Sequence, residues 1–562
     1  MRGRVKLGLL AAWFVTSFSY YLGRVEMLGL RPALLVYLGL LVLTTTALLL
    51  VGWIRTGWVR WPLALLLAVS AGFFDTYTGI TGSFLTYDAF ISMLDSAGFL
   101  TEALEQYRDQ ILLAVGKSLL LLLGIGLRPG PVPRLPRLLP VLAPPLVFLL
   151  LVGVMFIRSG DGSRGLAPVY PPLGYLSLYG YEMMQGSATP RQPVTLAHTH
   201  APMARDIVLI IDEAVSGNYL DLNTPAGVAT NLTQTYPGVD IVNYGYAASI
   251  TNCSAGTNVT LRYGGTRDDY PRINVSMPSI WQYAKKAGLS TVYIDGQTTS
   301  GKLQNLMTDA EKADIDQFIQ FDGVPVVQRD MAALDKLVTL LGDDKLQMIV
   351  VNKVGAHFPV ANKYPDDFLK YQPALPRDHS DDVAEKGTKE GFDGSPEAWV
   401  RYRNSYRNTL QWGVGEFFRR LLTQADLSHA VVIYTSDHGQ NLHERRNPGV
   451  NTHCDTEPVP EEGLVPLVVI QGKGVKALDW QTNLARNRNA SSHYNIFPTL
   501  LVLMGYEPAA VAAEYGRSLD VPTDDPFTFN VKFNVRLRAK PDFRHIDLSQ
   551  IVTPPASDEG VR

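Results

Sequence analysis

A five-helix transmembrane bundle followed by an α/β domain with a mostly parallel central sheet is the fold class this sequence predicts. Three observations carry it. Long apolar runs are confined to roughly the first 160 of 562 residues, and each is about long enough to cross ~30 Å of hydrocarbon. Beyond them, short apolar β-branched runs alternate with helical patterns, as in a sheet covered on both faces. Three of those runs end in residues able to ligate a metal or a phosphate, and the carboxyl edge of such a sheet is where these sites gather.

The spans come first. Leu7–Tyr21 follows Arg2, Arg4 and Lys6, as a signal peptide would. No small-x-small cleavage site follows it and further spans do, so an uncleaved anchor is expected. Pro32–Trp53, Trp61 to about Gly79, Gln110–Leu127 (with Lys117 inside it) and Leu139–Ile157 are the other four. The N-terminus, the Arg55/Arg60 loop and the Arg128/Arg134/Arg137 loop hold eight Lys or Arg. The alternate loops hold only Arg24, Arg31 and Arg108. The basic side faces the cytoplasm, so five crossings leave everything after about residue 160 outside, in the periplasm of a Gram-negative bacterium. Between spans three and four, Thr81–Asp109 carries Tyr87, Asp88, Met93, Asp95 and Glu105, and reads either as a solvated loop helix or as a lid at the membrane surface.

The expected organisation is therefore a transmembrane domain over 1–158, a Gly/Pro/Ser-rich linker over 159–204 that is partly helical near Tyr175–Gln185, a catalytic domain over 205–520, and an extension over 521–562. Pro-rich and charged, that extension reads as loosely packed. A formal charge of −3 excludes a nucleic-acid binder working by bulk electrostatics. With only two cysteines, Cys253 and Cys454, neither a disulfide framework nor an all-cysteine zinc site is available.

In the outer domain Asp206–Ile211 reads as a buried strand running into Asp212 and Glu213. Gln347–Asn352 runs into Gly355, Ala356 and His357, and Ala430–Ser436 into Asp437, His438 and Gly439. Leu464–Ile470 is a fourth strand. Helical patterns cover 280–286, 330–341, 399–422 and 494–504. Alone, Asp-His-Gly is the pattern of a turn. Beside two other strand ends bearing a carboxylate and an imidazole, it becomes half of a metal site. Glu213 is the expected ligand, with Asp212 turned the opposite way by the pleat and supporting the site from behind. A nucleophile is expected in Ser249-Ile-Thr-Asn-Cys-Ser-Ala-Gly-Thr-Asn-Val-Thr260, a hydroxyl-rich turn leading into a helix N-terminus that favours phosphate. The local sequence leaves Thr251, Ser254, Thr257 and Thr260 all open.

This plan resembles the membrane-anchored phosphoethanolamine transferases of the alkaline-phosphatase/sulfatase superfamily. The resemblance rests on five spans, a strand ending in Glu213, Cys253-x-x-x-Thr257, Asp437-His438-Gly439 and a later His-bearing loop. Tyr406-Arg-Asn-Thr409 and Ser492-His-Tyr-Asn-Ile-Phe-Pro498 are similar to two of the family's helices. It implies an alkaline-phosphatase-like outer domain and a zinc held by Glu213, Thr257, Asp437 and His438. It also implies Thr257 as the nucleophile that becomes phosphoethanolaminated. Two further histidines, matched by His357 and by His453 (His443 as the other candidate), would assist proton transfer or hold a second zinc. The activity implied is transfer of phosphoethanolamine from phosphatidylethanolamine to a lipid or glycan acceptor by a monomer at the outer face of the inner membrane. Glycerophosphate transfer from phosphatidylglycerol, sulfatase-like hydrolysis and an inactive membrane sensor or scaffold are the alternatives. Cys253 lacks the Cys/Ser-x-Pro-x-Arg context of a sulfatase nucleophile.

The chain departs from the family at Asp212-Glu213-Ala214, where Gly-Glu-Thr is usual. It also lacks the second cysteine that normally follows the Thr, near Arg262 and Tyr263. Cys253 and Cys454 each neighbour a site residue, so a bridge between them is one expectation. Arg262 and Lys302 are candidates for contacting substrate phosphate.

Overall fold

A computed structural model describes residues 2–82, 84–95, 107–130, 136, 138–185, 190–357, 360–377, 394–446 and 451–554. It divides into two compact units, Met1–Ala188 with Val535–Ala539, and Thr189–Asn534 with Lys540–Arg562.

The first unit is helical. Pro32–Gly52, Gly57–Thr81, Arg108–Gly126 and Leu139–Ile157 are each long and apolar enough to cross a membrane. Arg2–Thr16 and Phe18–Leu28 make a fifth span if the pair, bent by 47°, counts as one. The expected Leu7–Tyr21 span runs across that bend, which falls at Ser17. Lys117, the charge inside the fourth expected span, sits 4.0 Å from Asp75 on the preceding span, the pairing that makes an intramembrane charge tolerable. At the other end of the same helix Lys6 donates to Ile125 O at 2.8 Å and Arg60 to Gly126 O at 3.0 Å. These buried cations satisfy carbonyls that a helix C-terminus leaves orphaned. Tyr87–Asp95 is helical, as expected for part of the loop between spans three and four; Glu105 lies outside the described residues. The helix of the expected linker is Tyr170–Gln185, and its Tyr175 and Leu178 are buried in this unit's apolar core.

The second unit is built on an eight-stranded sheet. Its strands are β1 (Asp206–Asp212), β2 (Val239–Ala248), β3 (Ser290–Asp295), β4 (Gln317–Gln320), β5 (Gln347–Asn352), β6 (Ala430–Ser436), β7 (Leu464–Gly472) and β8 (Ser491–Ser492). They lie in the order β4-β3-β5-β1-β6-β7-β2-β8, and only β7 runs antiparallel to its neighbours. β1, β5 and β6 are buried along their whole length, which is why they read as unbroken apolar runs. Val208, Ile210, Ile349, Val351, Val432 and Tyr434 pack on one face against Leu334, Leu337 and Phe418 of the covering helices. β1 pairs with both β5 and β6 in register, Ile211 opposite Asn352 and Thr435. The ends of these three strands are thereby brought to one edge.

The segment after Val521, expected as a loosely packed extension, is instead packed. Two short strands, β9 (Thr528–Asn530) and β10 (Phe543–His545), pair antiparallel. Phe527, Phe529 and Ile546 bury themselves against Ala248 and Leu464. Three apolar anchors outweigh the polar composition around them, since each buried large side chain is worth about 1.5–3 kcal/mol. Asn530 N also donates to Ile250 O at 2.8 Å, bracing the segment that leads to the hydroxyl-rich turn.

Candidate metal centre

At the common strand edge Glu213, Asp437 and His438, all buried, present ligand atoms that lie within 4.8 Å of one another. Each is oriented so that one atom remains for a metal. His438 Nδ1 sits 2.7 Å from Gly439 O, which fixes the proton on that nitrogen and leaves Nε2 as the donor. Nε2 lies 3.4 Å from Glu213 Oε1 and 3.7 Å from Asp437 Oδ2. The other Asp437 oxygen, Oδ1, accepts from Ala214 N at 2.9 Å and His438 N at 2.7 Å.

Backbone geometry makes this crowding feasible. A side chain on Gly439 would meet Glu461 O at 2.0 Å, so this glycine is required by close approach. Gly355, at φ +57, lies where a Cβ would strike the Glu213 backbone at 2.5 Å. Tyr406 buttresses the turn after Glu213 by accepting from Ser216 N and donating to Ala214 O, at 2.8 and 2.9 Å.

The four open hydroxyls separate cleanly. Ser254, at the first position of helix Ser254–Tyr263, places Oγ 3.0 Å from Glu213 Oε1 and 3.1 Å from His438 Nε2. Thr257 Oγ1, buried three residues later, accepts from Thr251 N at 3.2 Å and donates to Thr251 O at 3.3 Å. Thr251 Oγ1 closes a turn with Cys253, and Thr260 Oγ1 donates to Gly256 O and Asn274. The structure therefore brings Ser254, and not Thr257, to the acid–imidazole cluster. The reason is local: the chain enters the helix at Cys253, so the first-turn side chain faces the strand edge while Thr257 closes the preceding loop.

Of the histidines, His453 stacks on His438 with ring centroids 4.5 Å apart, and its ring lies 6.1 Å from His357. His443 is elsewhere, stacked on Trp399 at 3.9 Å. Asp212 turns away from the cluster, as the pleat requires, and accepts from Lys353 Nζ at 2.7 Å. Arg262 is not a phosphate contact: it is fully buried, with Nε donating to Glu311 at 2.7 Å.

Electrostatically the cluster is a bound set of charges. Burial opposes ionisation of Glu213, but His438, reinforced by His357 and His453, holds its carboxyl below the usual range. Burial and then the charge of Glu213 push Asp437 up to about 8. Burial works against an imidazolium at His438, yet Asp437 and Glu213 outweigh it and lift the ring to about 9. His453 is driven the other way, well below the ordinary value, by burial and the neighbouring imidazoles. Two carboxylates, an imidazole and a hydroxyl are a donor set that suits zinc in a four-coordinate site. They leave His453 as a neutral base alongside.

The two cysteines form a disulfide, with Cα atoms 5.0 Å apart. Cys253 directly precedes Ser254 and Cys454 directly follows His453, so one bond ties both segments together. Replacing both by serine is expected to lower the urea stability of the outer domain by about 2–4 kcal/mol and to reduce activity with it; unchanged unfolding would remove the bridge from the site's support.

Sequence reasoning missed Gln297, Asn252 and Glu462. Asn252 Nδ2 donates to Glu462 Oε2 at 2.8 Å, holding the turn before Cys253 against the loop before β7. Each is a polar residue in a loop, with no spacing to mark it. Gln297 was findable in part, because Ser290-Thr-Val-Tyr-Ile-Asp295 has the β-branched composition of a strand.

A family model described as Sulfatase matches residues 205–506. Two curated relatives are Kdo(2)-lipid A phosphoethanolamine 7''-transferases. That of Escherichia coli is 26% identical over 227 residues, 39% of this chain and 37% of the relative. That of Salmonella typhimurium is 22% identical over 270 residues, 45% of this chain and 44% of the relative. The matched stretches thus span less than half of those relatives. Among solved structures, the integral membrane lipooligosaccharide phosphoethanolamine transferase A of Neisseria meningitidis shares the fold. Its TM-score is 0.64 at 18% identity, over 90% of this chain and 96% of that one.

Proposed function

Because the chain belongs to the sulfatase family, we propose that it is a zinc-dependent phosphoethanolamine transferase. It takes the group from phosphatidylethanolamine and passes it to a lipid or glycan acceptor at the outer face of the inner membrane. One observation carries this reading: a serine hydroxyl at a helix N-terminus lies within 3.1 Å of both Glu213 and His438, on a chain whose described residues include four to five apolar spans. The names of the curated relatives favour a lipid acceptor. Placement in the periplasm is supported by the positive-inside count and by the Cys253–Cys454 bond, since disulfides persist in oxidising compartments.

The residues then divide the work. Glu213, Asp437 and His438 would hold one zinc, with Ser254 as the fourth donor; a second ion would fall to His357 and His453. Zinc supplies positive charge that eases ionisation of a hydroxyl and neutralises phosphoryl oxygens. As Ser254 Oγ attacks the phosphorus its proton passes to His453 or His357, the phosphorus–oxygen bond to diacylglycerol breaks, and the same histidine returns that proton to the departing oxygen. An acceptor hydroxyl next attacks the phosphoserine, giving its proton to His453 or His357, and as the bond to Ser254 Oγ breaks that proton passes to Oγ and restores the serine. Helix N-terminal amides at 254–256 favour the anionic phosphoryl group throughout.

The test is direct. Full-length protein in membranes containing head-group-labelled phosphatidylethanolamine is expected to become labelled and then to pass label to an acceptor. Labelling from phosphatidylglycerol instead would assign a glycerophosphate transferase. Release of free phosphate or sulfate without labelling would assign a hydrolase, and no turnover with any donor a scaffold.

A further inference from the structure

Glu213 has two oxygens, and they are treated differently. Oε1 faces Ser254 and His438. Oε2 accepts from Gln297 Nε2 at 3.1 Å. Gln297 lies just past the end of β3, on a loop pinned by Asp295, whose Oδ1 accepts Gln297 N at 3.0 Å. Its side-chain amide has one sensible orientation. Around Nε2 sit three acceptors, Lys353 O at 2.8 Å, Glu213 Oε2 at 3.1 Å and Asn352 Oδ1 at 3.4 Å. Around Oε1 sits a donor, Gln304 Nε2, at 2.6 Å. A reversed amide would set an oxygen against two acceptor oxygens at close range, so the network itself fixes the donor toward Glu213.

The consequence is chemical. A carboxylate with both oxygens free can chelate a metal through two atoms or swing between them. One whose second oxygen is capped by a buried donor offers a single atom in a single direction. Gln297 is 8% exposed and Glu213 1%, so water does not readily replace that donor. We infer that Gln297, oriented by Gln304, is a positioning residue that makes Glu213 a one-oxygen ligand and keeps Oε1 beside the Ser254 hydroxyl. This rests on the metal reading above and goes beyond it by assigning the group that sets the ligand geometry.

The experiment uses the full chain in detergent. Zinc affinity is measured by competition with a chromophoric chelator, and the cobalt-loaded protein is compared by its visible d–d spectrum. Gln297→Leu is expected to weaken zinc binding by about 10–100-fold, the range for lost ligand-supporting hydrogen bonds, and to change the cobalt spectrum as Oε2 enters the coordination sphere. Gln304→Leu leaves the Gln297 amide and its Nε2 acceptors in place but removes the donor that steadies Oε1, and is expected to shift both readouts in the same direction by less. If Gln297→Leu loses cooperative unfolding, Gln304→Leu decides. A folded variant with wild-type affinity and an unchanged spectrum overturns the inference. A wild-type chain that takes up no stoichiometric zinc overturns the metal reading beneath it, a separately visible failure.

Discussion

Ser254→Ala is expected to lower transfer by about four to six orders of magnitude, the scale seen when a covalent nucleophile is removed. It should also abolish the phospho-enzyme. The expectation follows from geometry: Ser254 Oγ lies 3.0 Å from Glu213 Oε1 and 3.1 Å from His438 Nε2, whereas both hydrogen bonds of Thr257 Oγ1 go to the Thr251 backbone. Thr257→Val therefore gives up about 1–2 kcal/mol of stability through those lost bonds and still forms the intermediate. Fragment-ion mass spectrometry of the labelled protein separates the two positions, since they lie three residues apart. Label on Thr257, or full activity in Ser254→Ala, would return the role to the threonine that the family pattern favours. Thr257→Ser, which keeps the hydroxyl and its two bonds, should stay within about tenfold of the parent, as a supporting rather than a reacting group would.

That contrast marks where the sequence stops being informative. The strands β1, β5 and β6 were legible because burial on both faces writes an unbroken apolar run, and their ends announced Glu213, His357, Asp437 and His438. β2 was not, because polar and half-buried residues such as Asp240 and Asn243 break up its buried positions without a regular period and it is interrupted by a register shift between Asn243 and Tyr246. The hydroxyl was the harder case. Ser254 and Thr257 differ by less than one helical turn, and which of them faces the strand edge depends on where the helix begins. The chain enters it at Cys253, a residue with no side-chain cap, so no capping signature marks the start. A spacing counted from a cysteine cannot resolve that; a three-dimensional register can. Gln297 and Gln304 illustrate a second limit. Their value lies in a directional amide network across three segments, and no local pattern encodes such a network.

Removing a metal ligand should be nearly as costly as removing the nucleophile, and its pH dependence can be worked out in advance. Glu213→Ala or His438→Ala is expected to abolish stoichiometric zinc and to lower activity more than 100-fold, beyond the range for a lost supporting bond. In the metal-free site His438 is lifted to about 9 and Asp437 to about 8. Both lie above neutrality, so near pH 7 the imidazole carries a proton and the carboxyl largely does as well. Zinc needs Nε2 free and the carboxylate ionised, so binding must expel these protons. Affinity should then rise from pH 6 to pH 9, by up to about tenfold per unit for each proton displaced, and level off once both groups have lost theirs. Calorimetric titration at pH 7.5 in buffers of different ionisation enthalpy should count between one and two protons released, an expectation set by the same proton linkage. Affinity that is flat over that interval, with no buffer dependence of the heat, would mean that the ion does not bind through His438 and Asp437. A Glu213→Ala chain that keeps its zinc would take the carboxylate out of the ligand set, and with it the reason for Ser254 to sit where it does.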